Sequence, residues 1–151
     1  MRHLLIFSIT LQIILITRAG ASPTIELMMG QCHKLVAASH DLGGCDGKLA
    51  NVNLDDGSTT FSYSKTDGTA LTFVGRGDDQ VKVNADEVMQ PIQKVIFHLK
   101  TAAPVTTAAA GTCHYTNPFK GKAIVNCTAT ASTGQFEGSF TTDGKPPSEG
   151  P

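Results

Sequence analysis

In residues 56–78, DGSTTFSYSKTDGTALTFVGRGD, short strand-forming segments alternate with turn-forming pairs of aspartate and glycine. Thr59, Phe61 and Tyr63 fall on one face of an extended segment, and serine or threonine occupies the positions between them. Asp-Gly and Gly-Asp pairs separate the segments, and such pairs favour the tight turns of β-hairpins. This stretch therefore predicts an antiparallel meander in which each strand buries one face.

The same turn signals continue on both sides of this stretch. Asp-Gly or Gly-Asp pairs occur at 46–47, 56–57, 67–68 and 77–78, roughly ten residues apart, and again at 143–144. Regular spacing of this kind is typical of hairpin-linked strands. The predicted strands cover residues 49–54, 59–65, 70–74, 80–83, 92–99, 122–129 and 135–141, the last two paired across a turn at 132–134.

Residues 87–100 fit two secondary structures. Their apolar residues also match a helical stripe, with Asn84 or Asp86 as its N-cap. Pro91 would interrupt the hydrogen bonds of that helix, and Phe97 falls off the stripe. We therefore predict a strand over residues 92–99, followed by a loop of small residues over 101–110 in which Pro104 disfavours regular structure.

The first 21 residues have the layout of a secretory signal peptide. A basic start at Arg2 and His3 precedes a mostly apolar run over residues 4–16, and small residues follow at Ala19 and Ala21. The run is too short to span a bilayer stably, and the small residues suit a signal peptidase. We expect cleavage after Ala21 and export to the periplasm or the extracellular medium.

Four cysteines follow the expected cleavage site. In an oxidising compartment an even number of cysteines predicts disulfides, and four cysteines allow three connectivities. The preferred pairing is Cys32 with Cys45 and Cys113 with Cys127, each closing a short loop. Such loops contribute on the order of 3 kcal/mol each to stability.

Together these patterns predict an all-β protein. Its architecture is an antiparallel sandwich or a partly open barrel of about seven to eight strands with two disulfides. Residues 22–144 form the single domain and residues 145–151 form a disordered tail. One short helix near residues 84–90 remains an open alternative.

Composition excludes several classes of partner. Without the leader, ten Lys and Arg face thirteen Asp and Glu, a net charge of −3, and Arg76 is the only arginine left. Nucleic-acid binding needs clustered positive charge, so no nucleic-acid partner is expected. After the leader no apolar stretch is long enough to cross a membrane, so the mature chain is not expected to span one.

The chain contains few candidate sites. The tripeptide Arg76-Gly77-Asp78 lies on a predicted hairpin tip and is the candidate loop contact. Asn126-Cys127-Thr128 matches the N-glycosylation pattern, although its middle residue is a predicted half-cystine. Adjacent Cys-His pairs at 32–33 and 113–114 suggest zinc or copper, but neighbours on a strand face opposite ways, so we predict no metal and no cofactor.

No catalytic motif is present in the sequence. His98, on a predicted strand, is the weakest of candidates for a catalytic residue. Exposed hairpins and the lack of a catalytic motif favour one function, the small size, the export signal and the disulfides favour another, and a weak enzyme with a cleft built from scattered residues is third. The first is a non-enzymatic binding or structural module. The second is an inhibitor or effector acting on a host or competitor enzyme, with residues 75–79 and 101–110 as its contact surfaces.

Overall fold

Residues 22–150 form eleven strands, most of which have side chains that alternate between the inside and the outside. The computed structural model describes residues 22–150, so the predicted signal peptide over residues 1–21 lies outside the described part. Two short 3-10 helices, Gly77–Asp79 and Pro118–Lys120, lie in loops. The strands are β1 (Thr24–Ala37), β2 (His40–Asp41), β3 (Lys48–Asn53), β4 (Ser58–Ser64), β5 (Ala70–Arg76), β6 (Val81–Asn84), β7 (Glu87–His98), β8 (Val105–Thr116), β9 (Ile124–Ala131), β10 (Gly134–Thr142) and β11 (Ser148–Glu149).

Eight of these strands form a closed antiparallel barrel. Each pairs with its neighbour in the order β1-β3-β4-β5-β7-β8-β9-β10, and β10 then pairs with β1 through partners such as Gly30 and Thr142. The remaining short strands attach outside this ring, β2 and β11 to β1 and β6 to β7. The predicted all-β antiparallel fold is confirmed. Of the two predicted architectures the barrel is the one observed, and its ring of strands is fully closed rather than partly open.

Three predicted segments need correction. Residues 84–90 contain no helix, because Asn84 ends β6, Glu87 begins β7 and the two strands pair as a hairpin. The predicted loop at 101–110 is strand from Val105 onward, since Val105 and Thr106 pair with Phe97 and Ile96 of β7. Strand β7 also starts five residues earlier than predicted and includes Pro91.

The predicted disordered tail also differs. Ser148 and Glu149 form β11, pairing antiparallel with Leu27 and Glu26 at the start of β1. The backbone N–H of Gly150 donates to the Ile25 carbonyl at 2.8 Å. Main-chain hydrogen bonds to β1 therefore hold this part of the chain in place.

Buried side chains fill the barrel interior around Tyr63. Its side chain has no exposed surface and its hydroxyl donates to the backbone carbonyls of Val125, at 3.0 Å, and Gly138, at 3.3 Å. Glycine is required at 138 because a Cβ there would lie 2.7 Å from the Tyr63 ring. The ring of Phe73 packs edge-on against Tyr63 with a centroid distance of 5.8 Å. The buried rings of Tyr63 and Phe73 therefore occupy this part of the barrel interior.

Both predicted disulfides are confirmed. Cys113 and Cys127 face each other across β8 and β9 inside the barrel, and Cys32 on β1 joins Cys45 in the loop before β3. Two disulfides are compatible with an exported protein. In the part of the chain that the structure describes, no helix has both the length and the apolar character needed to cross a membrane.

Candidate functional site

The barrel is open at one end, where β3, β5 and β8 end and β4, β7 and β9 begin. We call this end the mouth. It contains a cavity of about 300 Å³. Its lining residues are Glu26, Met28, Asn51, Asn53, Phe61, Gln80, Ala85, Asp86, Val88, Tyr115, Thr116, Asn117, Pro118, Phe119 and Val125.

The floor of the mouth is apolar. Met28, Phe61 and Val125 are buried side chains from β1, β4 and β9, and they belong to the same hydrophobic core as Tyr63. Tyr115 on β8 stands above them, with its ring centroid 5.0 Å from that of Phe61 at a tilt of 54°. Two aromatic faces therefore border the cavity at its base.

One wall of the mouth is polar because asparagines replace apolar residues at the inward positions of β3. The Asn51 side-chain amide donates to the Thr60 carbonyl at 2.9 Å, and the Thr59 hydroxyl donates to Asn53 Oδ1 at 2.8 Å. Glu26 lies directly opposite Asn51 in the ladder between β1 and β3. These contacts hold the polar groups in fixed orientations, which favours specific recognition.

A clamp between two loops fixes the rim of the mouth. Asn117 accepts a hydrogen bond from the Phe119 backbone N–H at 3.0 Å, and its own N–H donates to the Asp86 carbonyl at 2.8 Å. Lys120 Nζ lies 2.7 Å from Asp86 Oδ1. The clamp presents Phe119, which is 59% exposed, beside the cavity. An aromatic ring held at an opening is suited to contact a ligand.

The ion pair in this clamp leads to a testable prediction about the pKa of Asp86. The Lys120 ammonium donates to the Asp86 carboxylate and holds the pKa of Asp86 below its ordinary value of 3.8. We expect Lys120→Met to raise the Asp86 pKa toward that value, because the hydrogen bond and the attraction of the ammonium are both lost. Lys122→Met, which removes a nearby lysine outside this clamp, should leave it unchanged. An NMR pH titration of the Asp86 carboxyl measures both, and equal effects of the two variants would contradict the clamp.

Two glutamates lie opposite each other at the mouth end of β1. Glu149 of β11 lies directly opposite Glu26 on β1, so two carboxylates share one position of the ladder. Burial, and secondarily the charge of Glu26, raises the pKa of Tyr115 above its ordinary value. The Tyr115 hydroxyl therefore stays protonated at neutral pH and remains a hydrogen-bond donor.

The predicted loop contact lies at the mouth end but outside the cavity lining. Arg76 ends β5, and Gly77 and Asp78 form the following 3-10 turn. The Arg76 side chain folds back, with Nη2 3.6 Å from Asp78 Oδ2 and Nη1 donating to the Asp56 carbonyl at 3.4 Å. Its charge is thus engaged within the turn.

The other sequence candidates are spread over the barrel. Asn126 is exposed in the middle of β9, and its Oδ1 accepts from the Ser139 hydroxyl at 2.7 Å. Cys113 faces inward while His114 faces outward and contacts Glu87, as alternation requires. Among residues 22–150, no group of three or more His, Cys, Asp or Glu side chains is placed to hold a metal ion.

Sequence reasoning missed the mouth residues. A signal existed on β3, where Asn51 and Asn53 share the face of Leu49 and place amides at inward positions. The remaining lining residues come from strands and loops far apart in sequence. Comparisons of this chain with protein-family models, curated proteins and solved structures found no match.

Proposed function

We propose that this protein is a non-enzymatic binding module that holds a small molecule in the mouth of the barrel. The observation that carries the proposal is the composition of the cavity, with an apolar aromatic floor below a polar wall of fixed orientation. Ligand pockets typically combine a mainly apolar lining with a few placed polar groups. The cavity volume of about 300 Å³ lies at the lower end of the range for small-molecule pockets, so it suits a small ligand.

The architecture supports the same proposal. A barrel of eight strands is wide enough either to be filled by side chains or to hold one small ligand. Here the half around Tyr63 is filled and the mouth is open. We further propose that the protein works in the periplasm or outside the cell, supported by the signal-like leader and by two disulfides that need an oxidising compartment.

The alternative of an inhibitor or effector has less support. One of its two proposed contact surfaces, residues 101–110, is strand from Val105 onward. In the other, Arg76 is paired with Asp78 within its own turn. The exposed large apolar side chain of these two surfaces is Val105, and valine is under-represented among the residues that dominate protein interfaces.

A neutral fluorescent probe tests the binding function. We expect N-phenyl-1-naphthylamine to bind the disulfide-bonded protein with one saturable site and increased fluorescence, because its rings fit an apolar floor. Val88→Trp places a large side chain at the cavity wall and should abolish the signal. Val52→Trp, a half-buried valine on β3 that does not line the cavity, is the matched control and should retain it. Equal binding by both variants, or no binding by the unmodified protein, contradicts the proposal.

A further inference from the structure

We propose that the ligand of the mouth is an organic cation, an amine attached to an aromatic or aliphatic body. This inference rests on the proposed binding function and adds the chemical class of the ligand. It follows from three features of the mouth: an uncompensated carboxylate, a second carboxylate beside it, and aromatic rings within the same cavity.

The first feature is the charge of the lining. Glu26 and Asp86 are the acidic lining residues, and within the described residues the cavity lining contains no lysine, arginine or histidine. Asp86 is paired with Lys120 of the rim. No cationic side chain of residues 22–150 lies within 4.0 Å of the Glu26 carboxylate. Glu26 is therefore a half-buried acceptor free to pair with a bound cation.

The second feature is the cross-strand neighbour of Glu26. Like charges directly opposite each other in an antiparallel ladder repel, and Glu26 and Glu149 occupy such positions. A positive group bound between or above them would relieve that repulsion, whereas an anion would increase it. The mouth thus favours one sign of ligand charge.

The third feature is the set of aromatic rings. Phe61 and Tyr115 meet at 5.0 Å at the base of the cavity, and Phe119 stands at its rim. Ammonium groups are attracted to the faces of aromatic rings, most strongly where water is excluded. A carboxylate beside aromatic faces is suited to an amine whose body packs on Met28 and Val125 below.

These features fit an organic cation better than a metal ion. Calcium takes six to eight oxygen ligands, and magnesium requires near-octahedral oxygen coordination. The mouth supplies one lining carboxylate that is not already paired, above an apolar floor. Its apolar surface would have no role in holding a bare cation.

A matched series of probes tests the proposal. Benzylamine, benzyl alcohol and benzoate have similar size and carry positive, zero and negative charge at pH 7. We expect benzylamine to displace N-phenyl-1-naphthylamine at a concentration on the order of tenfold lower than benzyl alcohol does, and benzoate to be weakest. Glu26→Gln should remove most of the preference for benzylamine over benzyl alcohol, since the ion pair is lost while Glu149 and the aromatic rings remain.

Two further variants complete the experiment. Asp55→Asn removes one negative charge from an exposed turn at the same end of the barrel and should retain the preference for benzylamine. Glu149→Gln, at an exposed position, should reduce it, and this result supports the proposal even if Glu26→Gln does not fold. Equal affinities for the three probes would overturn the proposal that the ligand is an organic cation. The same holds if calcium chloride displaces benzylamine and sodium chloride of equal ionic strength does not. Failure of the naphthylamine to bind would instead overturn the binding function itself.

Discussion

Replacing Cys113 and Cys127 together by alanine is expected to lower the free energy of unfolding by about 4 kcal/mol. The disulfide between them closes a loop with a sequence separation of 14 residues, and losing such a constraint on the unfolded chain costs about 3 kcal/mol. Both cysteines are at most 1% exposed, so alanine also leaves a gap in the packed interior. Thermal unfolding should show a melting temperature lower by roughly 15 °C.

The other disulfide provides the control for this prediction. Cys32 and Cys45 have a sequence separation of 13 residues, so the entropic cost of removing their disulfide is nearly the same. Both are only partly buried, and their replacement by alanine leaves a smaller gap. We expect a loss of about 3 kcal/mol for this pair. A larger loss for Cys32 and Cys45 than for Cys113 and Cys127 in urea unfolding would contradict the role assigned to burial.

The local parts of the fold were predictable from sequence. The Asp-Gly pairs at 56–57 and 67–68 lie at the turns that join β3 to β4 and β4 to β5. Phe61 and Tyr63 are buried on the predicted face. Turn chemistry and side-chain alternation act over a few residues, and a sequence read in short windows contains both.

Closure of the barrel was not predictable in this way. It depends on β1 pairing with β10, where Gly30 meets Thr142 more than a hundred residues later. Strand β8 was hidden because Ala108, Ala109 and Ala110 have low strand propensity, yet small residues fit where strands approach closely. At Gly111, for example, a Cβ would lie 2.0 Å from the Thr128 carbonyl oxygen. Tertiary context decides such positions.

The mouth shares this dependence on long-range contacts. Glu26, Asn51 and Tyr115 come together only because β1, β3 and β8 belong to one closed ring. Glu149 lies opposite Glu26 on β11, in the tail predicted to be disordered. The sequence contains these polar and aromatic residues but does not show that they line one cavity. A binding function could therefore be proposed for the mouth only once the strand topology was known.

Replacing Tyr63 by phenylalanine is expected to change how stability depends on pH. Burial raises the pKa of Tyr63 far above its ordinary value of 10.0. Above pH 10 the unfolded chain therefore loses a phenolic proton that the folded chain keeps, and the free energy of unfolding falls by about 1.4 kcal/mol per pH unit on this account. Below pH 10 both states hold the proton and the contribution is constant.

Tyr63→Phe removes this alkaline loss at a cost near neutrality. At pH 7 the variant should be less stable by about 1.5 kcal/mol, because the hydrogen bonds to the Val125 and Gly138 carbonyls are lost while the ring remains. The two stability curves should then cross at about pH 11, above which the variant is the more stable protein. Urea unfolding at a series of pH values, followed by circular dichroism, measures both curves.

Tyr115→Phe is the control for the alkaline prediction, since the chain has two tyrosines. Burial also raises the pKa of Tyr115, but this side chain is only partly buried beside the open mouth. Its replacement should change the alkaline slope less than Tyr63→Phe does. In the unmodified protein, absorbance at about 295 nm should show Tyr115 ionising before Tyr63, with Tyr63 ionising only as the barrel unfolds. Parallel curves of stability against pH for Tyr63→Phe and the unmodified protein above pH 10 would mean that the Tyr63 hydroxyl reaches water in the folded protein. That result would contradict the burial of Tyr63 inside the barrel.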